Sequence, residues 1–398
     1  MRPVPDMAKQ VSCVPYDVVG ETEVREFLGQ HPLSFLKVTR AEGDLTAEHG
    51  ESHEAVFERA RKNLEEFISS GIYAIDNAEA LYVYQLSSGD HVQTGIVGCC
   101  SLNEYAGGTI KKHEKVRPDK VEDRTEHLRA VGAQTGLILL AFRGTDKTRD
   151  LMNAAIAREP LYDFVCMDGI SQRVWRVTDT AEWETAFAEV PSLYVADGHH
   201  RIESALVARD KRASENHSHT GNEEYNFVVA GVFPAEDLRI LPYDRMVRDL
   251  KGLSVDDFYQ KVSREFEVLE TNDRMPNRHG DICVYAGGKW TRLAYMGPTD
   301  DADAIGRLDV SILQRHILEP LLGIRDARTD ERISFVGGKQ AIDKIERVVD
   351  SGEAAIGFSL FPTTMQDLLS VSDLGEIMPP KSTWFEPKLK DGLLVHLI

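Results

Sequence analysis

Asp197, His199, His200 and Arg201 stand together around a single glycine, Gly198. A carboxylate, two imidazoles and a guanidinium in so short a run suit recognition of an anion and handling of a proton beside it. The flanking residues say how such a group is held. Leu193-Tyr194-Val195-Ala196 is apolar and β-prone and predicts a buried strand. Gly198 permits a sharp turn. Ile202, Ala205 and Leu206 recur at helical spacing, so a helix begins at His200. Strand, glycine turn and helix start are the parts of an anion site, because the first amides of a helix lack partners within it and point past its end. The same residues fit two other arrangements. In one, Asp197 caps the helix, the histidines are solvated and Arg201 pairs with Glu203. In the other they bind a metal, although adjacent histidines diverge and no His-x-x-x-His or Cys-x-x-Cys pattern supports them.

Three further groups carry chemistry. Lys111, Lys112, His113, Glu114 and Lys115 are followed by Asp119, Glu122, Asp123 and Arg124. Mixed charges of this kind often make a solvated helix face. Here Arg117-Pro118 interrupts the run, which sets His113-Glu114 at the end of an element, where a carboxylate can face a cleft. Val14-Pro15-Tyr16-Asp17 is an extended turn that delivers Tyr16 and Asp17, or simply the approach to a helix over Glu21 to Leu28. The tail from Met378 to Lys388 is rich in proline, lysine and aromatics. Lys381, Ser382 and Thr383 are donors for an anion there, or the tail is a packed strand anchored by Trp384 and Phe385.

The elements that position these groups alternate between strand and helix. Phe35 to Val38 predicts a short strand, and Ser52 to Ser70 an amphipathic helix stopped by Gly71. Leu81 to Leu86 and Thr94 to Cys99 predict a hairpin across Ser88-Gly89-Asp90. Leu137 to Phe142 predicts a buried strand, Asp146 to Ala157 a helix, and Asp163 to Val165 and Val174 to Val177 two more strands. The polar stretch from Arg209 to Glu224 predicts a mobile loop before a strand over Tyr225 to Phe233. Beyond it lies a smaller α+β unit. It has a helix over Val255 to Phe266 capped by Ser254, strands paired across Gly287-Gly288, a helix over Val310 to Leu322, and strands at Ile333 to Phe335 and Ala355 to Phe358. This division puts one region at residues 1–245 and a second at 246–398. Neither a Walker A pattern nor a Rossmann fingerprint follows any strand.

Composition narrows the function classes. The 398 residues carry a formal charge of −19, which argues against a general nucleic-acid binder. The hydrophobic fraction of 42% is that of an ordinary globular protein, and no run is long and apolar enough for a membrane span. The five cysteines match no zinc spacing, and Cys99-Cys100 lies in an apolar run that suggests core. The start lacks the apolar stretch of a signal peptide, so a reducing, cytoplasmic setting is the default expectation.

In order and over nearly the full length, Pro15-Tyr16-Asp17, His113-Glu114 with Asp123-Arg124, Ala196 to Arg201, and Met378 to Thr383 with Phe385, Pro387 and Lys388 resemble the bacterial and archaeal domain-of-unknown-function family 1015. The central piece is also similar to the signature loop of the ParB and sulfiredoxin superfamily, which includes CTP-binding partition proteins, sulfiredoxin and kinases of free serine. The resemblance implies an α+β fold with a mixed-sheet core of that type and a smaller C-terminal α+β unit. It implies that Gly198, His199, His200 and Arg201 hold nucleotide phosphates and that Asp197 contacts a metal or hydroxyl. It makes Glu114 the candidate base, with Asp197 and His200 also in catalysis. Tyr16, Asp17, His113, Arg124, Lys381, Ser382 and Thr383 are the candidate substrate contacts. ATP or ADP with Mg²⁺ is the expected cofactor set, and the partners are a small hydroxylated acceptor and a candidate homodimer. The implied activity is nucleotide-dependent phosphoryl transfer to a small metabolite such as free serine. The alternatives are a nucleotide-binding regulator without turnover and a metal-dependent phosphohydrolase using His199, His200, Asp197 and Asp123. The loop contains no cysteine, so repair of oxidised thiols is not expected.

Overall fold

The alternating hairpin Leu81–Ser88 and His91–Ser101 pairs with Ser88 opposite His91, as its turn residues require. It forms part of an eight-stranded mixed sheet in the computed structural model, which describes residues 1–45, 52–298 and 303–398. Across the sheet the strands run Ile110–Lys111, Leu193–Asp197, Ile138–Phe142, Phe227–Pro234, His91–Ser101, Leu81–Ser88, Ser171–Val177 and Tyr162–Val165. Leu193–Asp197 is parallel to Ile110–Lys111 and antiparallel to Ile138–Phe142, which is itself parallel to Phe227–Pro234. Leu140, Phe142 and Val195 are fully buried in this sheet, and Ile202 of the next helix packs with them. Each such side chain contributes about 1.5–3 kcal/mol when wholly removed from water, enough to fix the strand that leads into the polar turn.

The chain forms two compact units. The first contains residues 1–112, 116–238 and 387–398; the second contains 113–115 and 239–386. The last twelve residues thus belong to the first unit, where His396–Leu397 pairs with Ala133–Gln134 and the backbones of Val395 and Met1 bond to each other. The second unit holds a six-stranded antiparallel sheet in the order Phe266–Glu270, Lys289–Tyr295, Asp281–Ala286, Ile356–Leu360, Tyr243–Val247, Ile333–Gly337. The fold class is therefore α+β with a large mixed sheet and a smaller α+β unit, as expected.

Four local expectations are corrected. Residues 35–38 are not a strand; Leu36–Thr39 is a single helical turn, closed by the Arg40 amide on the Leu36 carbonyl. Four residues cannot separate a period of 2 from one of 3.6. The helix after the polar turn runs from His199 to Glu215, well into the stretch expected as loop. It needs one apolar stripe only, and Ala208 continues that stripe while Arg209 bonds Asn103 and Arg129 pairs with Glu215. Residues 216–226 are themselves tied down: Glu223 accepts from the amides of Thr220 and Gly221 and from Asn226, and His219 stacks on Tyr225. The helix capped by Ser254 ends at Val262, because Phe266 is needed in the next strand, where it is buried. Cys99, expected in the core, is exposed.

Candidate functional site

The strand Leu193–Asp197 ends on Asp197, and Gly198 then adopts φ +93°, the left-handed region that favours glycine. The helix His199–Glu215 begins immediately, and no side chain caps it. A Cβ on Gly198 would sit 3.0 Å from Ile138 Cγ2. Gly198→Ala is therefore expected to lower stability by about 1–2 kcal/mol, the usual cost of a left-handed backbone for a residue with a Cβ. Thermal melting checks this, and an unchanged melting point would mean the turn relaxes.

Asp197 does not cap the helix. Its Oδ1 accepts the Gly198 amide at 2.8 Å, and its Oδ2 lies 2.5 Å from Lys388 Nζ. Burial pushes this carboxyl up, but the charge and hydrogen bond of Lys388 overcome that and hold it below the usual carboxylate range. His199 is buried, and burial drops its imidazole to about 4, so it is neutral near pH 7. His200 Nε2 accepts the Arg117 amide at 3.1 Å, which makes it a neutral ring with its proton on Nδ1. Both histidines thus act as neutral groups rather than as the imidazolium one expects beside phosphate. The carbonyl of His200 accepts Ser204 Oγ at 2.6 Å; that hydroxyl also reaches the Val121 carbonyl at 3.1 Å, which ties the helix to its neighbour Pro118–Val131.

Arg201 does not pair with Glu203. Its Nη2 lies 2.8 Å from Asp391 Oδ2, and its guanidinium is 4.9 Å from the Tyr16 ring centre. Arg124 lies 4.5 Å from the same ring and pairs with Asp123 at 2.7 Å. Tyr16 stands at the start of a 3-10 turn, Tyr16–Val18, whose backbone is held by Arg40 on the Tyr16 carbonyl at 2.7 Å. Asp17 follows it and is exposed, yet its charge is felt at Tyr16, Arg201 and Asp391. Glu203 instead accepts from the Tyr105 hydroxyl at 2.6 Å, with Lys112 at 3.8 Å. Tyr16, Arg124, His127, Arg201 and Ser204 line a cavity of about 40 Å³, while Cys13, His31, Cys166 and Lys390 help line a larger one of about 580 Å³.

His113, Glu114, Lys381, Ser382 and Thr383 lie in the second unit. His113 is buried; its carbonyl accepts the Met378 amide at 2.8 Å and its Nε2 lies 3.4 Å from Thr383 Oγ1. Glu114 is half-buried. Ser382 is buried and bonds the Pro379 carbonyl at 2.7 Å, so its hydroxyl holds the tail together. Lys381 takes φ +56°, uncommon for a residue with a side chain, and its Nζ lies 5.5 Å from the Tyr243 ring centre. Trp384–Phe385 pairs with Ile240–Leu241, so the tail is a packed strand at that point.

The Asp197 carboxylate, expected to contact Mg²⁺, is paired with Lys388, and among the described residues no three His, Cys, Asp or Glu side chains are grouped to hold a metal ion by themselves. Lys388, Asp391 and Gly136 adjoin Asp197 and Arg201 and were not among the candidate site residues. A Cβ on Gly136 would lie 1.7 Å from Arg201 Nη1, so glycine is what admits the Arg201–Asp391 pair. Lys388 was visible within the tail motif; nothing in the sequence linked it, or Asp391, to residues almost two hundred positions earlier.

These features define an α+β protein whose largest sheet delivers a polar strand–glycine–helix turn. The chain belongs to the family described as protein of unknown function DUF1015, which matches residues 1–311. Similar solved structures include a conserved hypothetical protein from Pyrococcus furiosus, 15% identical, with a TM-score of 0.36 over 74% of this chain and 93% of that one. A mutant free serine kinase in complex with AMP is 13% identical, with a TM-score of 0.38 over 81% and 95%. SbnI with a C-terminal truncation, from Staphylococcus aureus, is 12% identical, with a TM-score of 0.40 over 76% and 87%. No curated protein matches the sequence. Among the described residues no helix is long and apolar enough to cross a membrane.

Proposed function

We propose that this chain is a nucleotide-dependent phosphotransferase that moves a phosphoryl group from ATP or ADP to the hydroxyl of a small metabolite, with free serine as the first candidate acceptor. In this reaction the bond from phosphorus to the donor's bridging oxygen breaks and a bond to the acceptor oxygen forms. The hydroxyl proton passes to a carboxylate, and ADP or AMP leaves. Such chemistry asks a protein mainly to position the reactants and neutralise charge. The observation that carries this reading is the uncapped start of a long helix at Gly198, with a lysine ammonium 2.5 Å from the adjoining carboxylate. Amides at a helix start favour phosphate oxygens, and a nearby cation adds to that preference. His200, whose Nε2 accepts the Arg117 amide, adds no charge. Glu114 enters as the base from the family resemblance alone.

The test is nucleotide consumption by the full chain with and without serine. Turnover that needs serine, with phosphoserine as product, supports the kinase. Binding without consumption favours the regulator. Glu114→Gln is expected to reduce transfer at least 100-fold, the scale of general-base catalysis, while leaving nucleotide affinity within about twofold. Loss of binding and transfer together would remove Glu114 from the role of base.

A further inference from the structure

Residues 387–398 belong to the first unit, and within them Lys388 meets the polar turn. The backbone that carries it is fixed on its C-terminal side. Leu389 is buried, Lys390 pairs with Asp168, and Asp391 pairs with Arg201 while exchanging backbone hydrogen bonds with Cys13 at 3.0 and 3.1 Å. An ordinary surface lysine loses much rotamer freedom when it grips a ligand; Lys388 is already held, by its backbone and by Asp197. The pair is nonetheless reachable, since the side chains of Asp197 and Lys388 keep 39% and 20% of their exposure.

Charge at the turn points the same way. His199 is neutral, His200 accepts a backbone amide, and Arg201 is engaged by Asp391. Lys388 places a positive charge directly beside Asp197. The Lys388 ammonium donates to Asp197 Oδ2. A carboxylate whose two oxygens accept from Gly198 and Lys388 is arranged to aim a lysine.

Building on the phosphotransferase reading, we propose that Lys388 is the cation that binds the nucleotide's phosphates and that Asp197 is its positioning residue rather than a metal ligand. The ammonium bridges carboxylate and phosphate without leaving either.

Titration calorimetry of the full chain with ATP, ADP and adenosine tests this. Lys388→Met is expected to weaken ATP and ADP about 10- to 100-fold, the worth of a charge-assisted hydrogen bond, and to leave adenosine unchanged. Lys388→Arg should recover most of the loss. Asp197→Asn should weaken the phosphorylated ligands less than Lys388→Met does, because the cation remains. Should Lys388→Met melt in the absence of ligand, the double variant Lys388→Gln/Asp197→Asn keeps a neutral hydrogen-bonded pair and must show the same selective loss. Equal loss of adenosine and ADP, or no loss of either, overturns the assignment of Lys388 alone. Failure of the unaltered chain to bind any of the three overturns the phosphotransferase reading and the Lys388 assignment with it.

Discussion

Arg201→Met is expected to destabilise the first unit by about 3–4 kcal/mol near pH 7, lowering its melting temperature by about 10 °C. The reason lies in what it leaves behind. Asp391 is only 2% exposed, and its partner is the Arg201 guanidinium at 2.8 Å. Burial already pushes the Asp391 carboxyl up against the opposing pull of Arg201. Without the arginine the carboxylate is stranded, and the cheapest response is to take up a proton. The loss should therefore be smaller at pH 5 than at pH 8, where holding the site neutral costs more. Tyr16 adds to the effect, because its ring loses one of the two guanidinium groups beside it. The double variant Arg201→Met/Asp391→Asn removes the stranded charge and should regain much of the stability, as is usual when a buried ion pair is replaced whole. Calorimetric melts of the three variants decide it. A double variant no more stable than Arg201→Met alone would show that packing, rather than the buried charge, sets the cost.

That experiment also separates two roles that the sequence merged. Four ionisable residues beside a glycine pointed to one site, and the strand, turn and helix formed as their periodicity required. The chemistry of individual side chains was less legible. Arg201 looked like a phosphate ligand because it follows the turn, yet a helix turns about 100° per residue, so adjacent side chains face different neighbours. Position 201 faces Asp391 and Tyr16, while Asp197 at the strand end faces Lys388. The partners come from the two ends of the chain, and no local pattern records a contact across 190 residues. His199 and His200 were equally ambiguous, since burial in one case and a backbone amide in the other determine their charge. The long polar helix ending at Glu215 was hidden for a simpler reason. Its solvent face dominates its composition, and its narrow apolar stripe is set by Ile202, Ala205 and Ala208. The tail was legible as an anchored strand, but which of its lysines meets the turn depends on where the chain passes back into the first unit, and composition does not encode that.

The second unit should become more stable at alkaline pH when Asp244 is replaced by asparagine. Asp244 is fully buried in the strand Tyr243–Val247, where its Oδ1 accepts the Leu360 amide at 3.0 Å. Burial raises its carboxyl to about 7, against which the Leu360 hydrogen bond and the adjacent Arg245 pull only in part. The sign follows from the raised value. The folded state holds the proton more tightly than the unfolded chain, so this group adds no penalty below the unfolded value near 3.8. The penalty grows as pH climbs from there to about 7, then levels off. Between pH 5 and pH 8 the accumulated difference is about 2–3 kcal/mol at 1.36 kcal/mol per unit. The amide introduced by Asp244→Asn keeps an acceptor for the Leu360 amide and never ionises, so the variant's advantage over the native chain should widen by that amount from pH 5 to pH 8. Denaturant melts at the two pH values, followed through tryptophan fluorescence, to which Trp290 in the same unit's core contributes, measure it. Equal stability gains at both values would mean that Asp244 is ionised throughout and that Arg245, beside it in the strand, compensates its charge in full.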